Sequence, residues 1–355
     1  MVLEVKAPAN VKIAGEHSVV HGWSSLSAAI DKYATATIEE NHSNKLEIVL
    51  RDLKLSGSFD GNTLRDLYEE YGKRDANNAS DLIRYIEGHN EIDRNLLPYA
   101  TIASRLLEEF GISPLGKRIT IHSDIPIQKG YASSAACSTA FAIAVMKASG
   151  RSLDDDTSID VARDGERIIH RSEGAGRIDV GPAYYGGYVR VSREGIRRES
   201  VDNKIDLIVI DTGPKPPTSE MVGKVRKKYA SDKDGTTRIF NEIEECVIGW
   251  IEALEAGNLE EAGRNMSRNH ELLKGLGLSS EGLDKAMSIA IVNGAAGAKL
   301  CGGGGGGIGI ALAKNDSDAK RVVGALRKGG FGADSINITF FGAKDSSESR
   351  KTVKA

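Results

Sequence analysis

Residues 119–125 alternate apolar and polar side chains as a strand does, and residues 135–146 are Ala-rich and read as a helix. Between them stand Pro126, Lys129, Gly130, Tyr131, Ala132, Ser133 and Ser134. No other stretch constrains the chain as much. A strand that turns through a glycine into a helix leaves the first-turn N–H groups without partners, and the helix dipole favours an anion beside them. Ser133 and Ser134 place hydroxyls at that cap, where a phosphate or a metal could be held. Taken alone, the stretch also fits an ordinary strand-to-helix junction.

A chain of 355 residues with 40% apolar content can bury a substantial core in one large domain or two ordinary ones. Its net charge of −3, with no long basic block, argues against a nucleic-acid partner. Cys137, Cys246 and Cys301 lie far apart without metal-ligand spacing, which fits free thiols in a reducing compartment. No apolar stretch follows a basic N-terminal start, and no segment is apolar enough to span a bilayer. The expectation is a cytoplasmic protein with no membrane partner. Monomer and homodimer both remain open.

In chain order, residues 3–6 and 11–14 predict short strands around Pro8, and residues 25–30, 34–39 and 46–50 continue the β pattern. Residues 62–72, 81–88, 95–110 and 158–170 predict helices, and strands follow at 188–191 and 205–210. Residues 219–293 are helical almost throughout. A strand at 298–300 then meets a glycine run, and residues 308–312, 316–328 and 335–341 predict strand, helix and strand. The shift in composition divides the chain into residues 1–195, residues 196–345 and a frayed tail at 346–355.

Three blocks stand in a recognisable order: Ala7-Pro8 with Gly15-Glu16-His17-Ser18-Val19-Val20-His21-Gly22, then Gly130-Tyr131-Ala132-Ser133-Ser134-Ala135-Ala136, then Ala298-Lys299-Leu300 with the glycines at 303–307. Together they resemble the GHMP kinase family, and the first block is most similar to its mevalonate kinase branch. The resemblance covers nearly the whole chain. It implies a two-lobed α+β fold, with an N-terminal lobe of ribosomal S5 domain-2 type, a ferredoxin-like C-terminal lobe, and ATP in the cleft between them.

The resemblance also implies roles. Lys129, Gly130, Tyr131, Ala132, Ser133, Ser134 and Ala135 would cradle the ATP phosphates. Ser134 and Glu166 would hold Mg²⁺, which needs few protein oxygens when phosphate supplies the rest. Asp179 would accept or orient the proton of the acceptor hydroxyl. Glu16, His17 and Thr218 would contact the acceptor, mevalonate or a mevalonate phosphate, with transfer to the 5-hydroxyl. The glycines at 303–307 would approach the phosphate loop.

Four departures accompany the likeness. Asn10 stands where the family carries a lysine that supports the aspartate, and Lys12, two residues on, would share its face in a strand. Gln128, Tyr131 and Ala132 replace Gly, Leu and Gly of the family loop. Arg177 replaces a glycine two residues before Asp179. Glu166 and Asp179 stand 13 residues apart, slightly more than the family shows. Arg177 could replace the missing charge, or bind a phosphate on the acceptor through its planar fork. The second option points to mevalonate 3-phosphate. A ligand-binding relative without turnover is a further alternative.

Overall fold

The computed structural model describes residues 2–73, 79–126 and 130–346. The first lobe begins with two long antiparallel strands, β1 (Leu3–Ala14) and β2 (Ser25–Glu40), then β3 (Leu46–Leu50) and β4 (Leu55–Phe59). Three helices follow, α1 (Gly61–Gly72), α2 (Ala79–Gly88) and α3 (Leu97–Glu108), and then β5 (Lys117–Ser123). Next come α4 (Ser133–Ala148), α5 (Asp155–His170), α6 (Val180–Tyr185), β6 (Tyr188–Ser192) and β7 (Gly195–Arg198). The seven strands form one sheet in the order β4-β3-β5-β2-β6-β7, with β1 paired to β2.

Strands predicted separately on either side of Pro8 are one strand. Pro8 falls at a shift in the β1–β2 register, where its missing N–H interrupts no regular ladder. The helix α4 is buried along almost its whole length and packs on both β1 and β2. Its run of alanines permits that close approach.

The second lobe consists of β8 (Asp206–Asp211), α7 (Thr218–Ser231), α8 (Lys233–Glu255), α9 (Leu259–Gly275), α10 (Glu281–Val292), β9 (Gly297–Leu300), β10 (Ile308–Ala313), α11 (Asp316–Lys328) and β11 (Gly332–Asn337). Its antiparallel sheet has the order β11-β8-β10-β9, the split βαβ arrangement of a ferredoxin-like fold. Every residue of β10 is buried, so this strand forms the spine of the lobe.

The lobes are joined by more than the covalent link. Trp250 of α8 is fully buried and packs on Tyr188 of β6, with ring centroids 5.7 Å apart. After β11 the chain returns to the first lobe. Ile338 bridges Ile30, the Thr339 carbonyl accepts from Gly187 N–H, and Ser346 Oγ accepts from Lys6 N–H. Among the described residues no helix is long and apolar enough to cross a membrane.

Candidate active site

Alternation along β1 puts Asn10 and Lys12 on one face, opposite Ala29 and Ser27 of β2. The loop before α6 lies across that face. Ser27 Oγ donates to the Ile178 carbonyl and fixes the loop's height, 3.2 Å from the strand's hydroxyl. Asn10 Nδ2 donates to the Asp179 carbonyl at 2.9 Å. The Lys12 ammonium then bonds both Asn10 Oδ1 and Asp179 Oδ1. Lys12 is buried, whereas the Asp179 side chain keeps 23% of its surface exposed. The ion pair therefore has one sealed side and one open side.

The charge beside Asp179 is thus Lys12. Arg177 takes a different position from the one its sequence neighbourhood suggested: its guanidinium donates to the Ser192 carbonyl at 3.0 Å on the exposed side. With the Ile178 carbonyl pinned inward by Ser27, the side chain one residue earlier turns out toward the β6–β7 turn.

Asn10 also ties this pair to the phosphate loop, because its backbone N–H donates to the Tyr131 carbonyl at 3.1 Å. Gly130 and Ala132 both have positive φ, and Ala132 caps α4 without a side-chain hydrogen bond. The N–H groups of Ser133, Ser134 and Ala135 precede the first intrahelical donor, Ala136, whose bond runs to the Ala132 carbonyl. Ser133 and Ser134 are half-buried there. Lys129 lies outside the described residues.

Glu166 is buried in α5. One oxygen meets His170 Nε2 at 3.3 Å, one turn on, and Oε1 has no partner. Its neighbours report where it lies. Burial, with the Glu166 charge adding to it, pushes the Cys137 thiol in the first turns of α4 up to about 12. The hydrogen bond to Glu166 raises His170, burial opposes it, and the Asp179 carboxylate adds to the rise. Glu166 lies on α5, which packs on α4, and against the loop leading to Asp179, where a Cβ on Gly176 would come within 2.8 Å of Glu166 Cβ. A buried carboxylate oxygen without a donor fits a cation.

The Glu16–His17 corner is built on Gly15, at φ +87. A Cβ there would lie 2.3 Å from the Ser24 carbonyl oxygen and 2.4 Å from Ser25 Cα, so no larger residue fits. Lys299, fully buried in β9, pairs with Glu16 Oε1 and donates to the Leu300 carbonyl at 2.6 Å and the Lys12 carbonyl at 3.4 Å. His17 Nε2 lies 3.1 Å from the Gly303 carbonyl. Burial lowers the His17 pKa, against smaller raising effects of the Gly303 bond and Glu16. Thr218 opens α7 beside Gly303, on which a Cβ would come within 3.2 Å of Thr218 Oγ1.

Among the described residues the glycine run lies against the loop before α7 and against Leu278. A Cβ on Gly304 would meet the Leu278 carbonyl at 2.4 Å, on Gly305 it would meet Pro216 at 2.6 Å, and on Gly306 the Pro214 carbonyl at 2.3 Å. The next residue, Ile308, packs against Gly130 of the phosphate loop. The same loop carries Lys215, whose stem lies on Gly307 and whose ammonium faces Gly130 across the cleft. Lys215 escaped the sequence reading, and Lys299 was quoted there within the third block without a role. A lysine inside a wholly buried strand was the available signal for Lys299, because such a charge requires a partner. The prolines flanking Lys215 were the only hint of a fixed position.

Lys12 meets Asp179, Glu16 meets Lys299 of the second lobe and His17 meets Gly303 beside Thr218, while Arg177 turns out toward Ser192. Residues 97–187 match the GHMP kinases N terminal domain, and residues 250–331 match the GHMP kinases C terminal family. The chain is 30% identical over 340 residues to the mevalonate kinase of Pyrococcus furiosus, covering 93% of this chain and 94% of the relative. It is 30% identical to the mevalonate kinase of Methanocaldococcus jannaschii, over 91% of this chain and 96% of that one. A mevalonate kinase crystal structure superposes with a TM-score of 0.76 at 26% identity, over 95% of this chain and 99% of the other. Sequence and fold agree, and the chain belongs to the GHMP kinase family.

Proposed function

We propose that this protein is a kinase that transfers the γ-phosphoryl group of ATP to the 5-hydroxyl of mevalonate. The observation that carries the reading is the Asp179–Lys12 pair, closed on one side and open toward the cleft. Phosphoryl transfer asks a protein mainly for positioning and for charge neutralisation. Asp179 would take the proton of the acceptor hydroxyl as its oxygen forms the new bond to phosphorus and the bond to the β-phosphate oxygen breaks. Such proton transfer is worth roughly 10²–10⁴-fold in rate. Lys12 would stay beside the same atoms and meet the negative charge of the transferring group.

The free N–H groups of Ser133, Ser134 and Ala135 would bind the nucleotide phosphates, with Gly130, Tyr131, Ala132 and Lys129 completing the loop. Lys215, opposite Gly130, adds a cation from the second lobe. Ser134 Oγ and the unpartnered Glu166 Oε1 would hold Mg²⁺, which would take its remaining ligands from phosphate and water. Bound there, the ion would offset phosphate charge. Glu16, His17 and Thr218 would hold the acceptor. Arg177 is engaged by Ser192, which favours mevalonate over an already phosphorylated acceptor.

ADP release measured with mevalonate, its 3- and 5-phosphates, galactose and homoserine tests the reading. Turnover of mevalonate that is lost in Asp179→Asn is the expected result. Turnover restricted to a phosphorylated acceptor would reassign the substrate, and binding of nucleotide without ADP release on any acceptor would leave a ligand-binding protein.

A further inference from the structure

Lys12 is the cation beside Asp179, and its side chain is buried. Its ammonium has three N–H donors. Among the described residues it bonds two acceptors, Asn10 Oδ1 and Asp179 Oδ1. An ammonium held by one acceptor spins about that bond. Held by two, it cannot turn, and its tetrahedral geometry then fixes the direction of the third N–H. Asn10 supplies the second hold.

Asn10 is itself fixed from several sides. It is fully buried in β1, its backbone N–H donates to the Tyr131 carbonyl at 3.1 Å, and its Nδ2 donates to the Asp179 carbonyl at 2.9 Å. The backbone of Lys12 is held from the second lobe. Cys301 Sγ accepts from its N–H at 3.2 Å, and Lys299 donates to its carbonyl at 3.4 Å. Positions 10 and 12 share one face of the strand, so the carboxamide meets the ammonium without any bend in β1. The loop that carries Asp179 does not hang on Asn10 alone, because Ser27 also holds it at the Ile178 carbonyl. Among the described residues, what Asn10 alone supplies is the second acceptor on the ammonium.

On the reading proposed above, Asp179 and Lys12 flank the transferring phosphoryl group, and the phosphate loop holds its nucleotide end. Asn10 bonds that loop through its backbone and Lys12 through its side chain, so one residue sets the ammonium relative to both. We infer that Asn10 is a positioning residue that locks Lys12 and keeps its third N–H for an oxygen of the transferring phosphoryl group. An apolar residue of the same size would leave the ammonium bonded to Asp179 alone and free to turn. The inference rests on the kinase reading and adds to it a residue that touches neither substrate.

Nitrogen-15 spectra of the lysine-labelled full chain, together with kinetics, test this. A locked, buried ammonium exchanges its hydrogens slowly. The ligand-free wild type should therefore show a Lys12 ammonium signal that Lys12→Ala lacks. Lys299, fully buried with three acceptors, is the internal control. In Asn10→Leu its signal should survive while that of Lys12 is lost. With ATP and mevalonate, Asn10→Leu should lower kcat by roughly 10- to 100-fold with little change in the KM for ATP. If Asn10→Leu loses both signals, Asn10→Ala is read in the same way, and loss of both there too would make Asn10 a structural residue and overturn the inference. A wild type without a Lys12 signal overturns it as well, as does a Lys12 signal or a kcat that Asn10→Leu leaves unchanged. Failure of the wild type to turn over mevalonate, with a Lys12 signal that depends on Asn10, would overturn the substrate reading and leave the locking of Lys12 standing.

Discussion

Two regions of the first lobe hold buried carboxylates, and they are finished differently. Between α3 and α5, Asp164 is fully buried, with Oδ1 receiving Tyr71 and Arg167 and Oδ2 receiving Arg105. Its neighbour Asp160 accepts from Arg163 and Arg167 on one oxygen and from Arg105 on the other. Every carboxylate oxygen there has a donor. In the cleft, Glu16 and Glu166 each have one oxygen engaged and one bare, and Asp179 is bonded on its buried side only. The first region needs nothing more and serves as a clamp: Arg163 and Arg167 reach from it to the carbonyls of Glu173 and Ala175, in the loop that leads to Asp179. The second leaves acceptors bare, which fits the ligand-binding role proposed for it.

The contrast can be broken by substitution. Asp179→Asn should lower kcat by up to about 10⁴-fold, with a drop in urea midpoint smaller than that of Asp164→Ala, because Asp179 keeps an open side and Asn10 Oδ1 still accepts from Lys12. A stability loss as large as that of Asp164→Ala with kcat unchanged would place Asp179 with the scaffold. Asp164→Ala should do the reverse. Removing one partner from a buried ion network costs about 3–5 kcal/mol, seen in the urea midpoint, with kcat of the folded protein changed only a few-fold. Lys12→Asn should lower kcat by roughly 10²-fold. Adding Asn10→Lys in the same chain moves the charge back two residues on the same face and should recover at least a tenfold part of that loss. No recovery would mean that Asn10 itself is needed to carry the loop.

The smallest effect is the pH response of the clamp. Burial alone would raise the Asp160 carboxyl, but Arg167 and Arg105 overcome it and bring the pKa down to about 2. A carboxyl that is more acidic folded than unfolded stabilises the fold above its unfolded value of about 3.9 and ceases to do so as pH falls toward 2. Urea midpoints from pH 5 to pH 3 should therefore fall less steeply in Asp160→Asn than in the wild type. Parallel curves would show that the clamp adds nothing to acid stability.

Much of the fold was legible where local chemistry and tertiary structure agree. The helix at 316–328 matches its predicted span because Asn315 caps it through Asp318 N–H. The strand at 46–50 matches because its alternation is kept in the burial pattern. Pro8 and the polar pair Asp31-Lys32 read as breaks in continuous strands, since sequence does not show that a register shift or an exposed stretch can absorb them. In the site, residue types were readable and pairings were not. That Lys12 reaches Asp179 depends on a loop 167 residues away being pinned by Ser27. The turn of Arg177 to Ser192 follows from the same pinning. The bed made by residues 303–307 is visible only once the proline loop is seen lying on it.

The return of residues 338–346 to the first lobe has a consequence for synthesis. The second lobe is inserted within the first, which borrows its last contacts, Ile338 to Ile30 and Ser346 to Lys6, from the far end of the polypeptide. On a ribosome the lobe that starts first is therefore completed last. While the helical segment is made, β1 and β2 lack the partners that residues 338–346 supply later, the kind of incomplete lobe that exposes a nascent chain to misassembly.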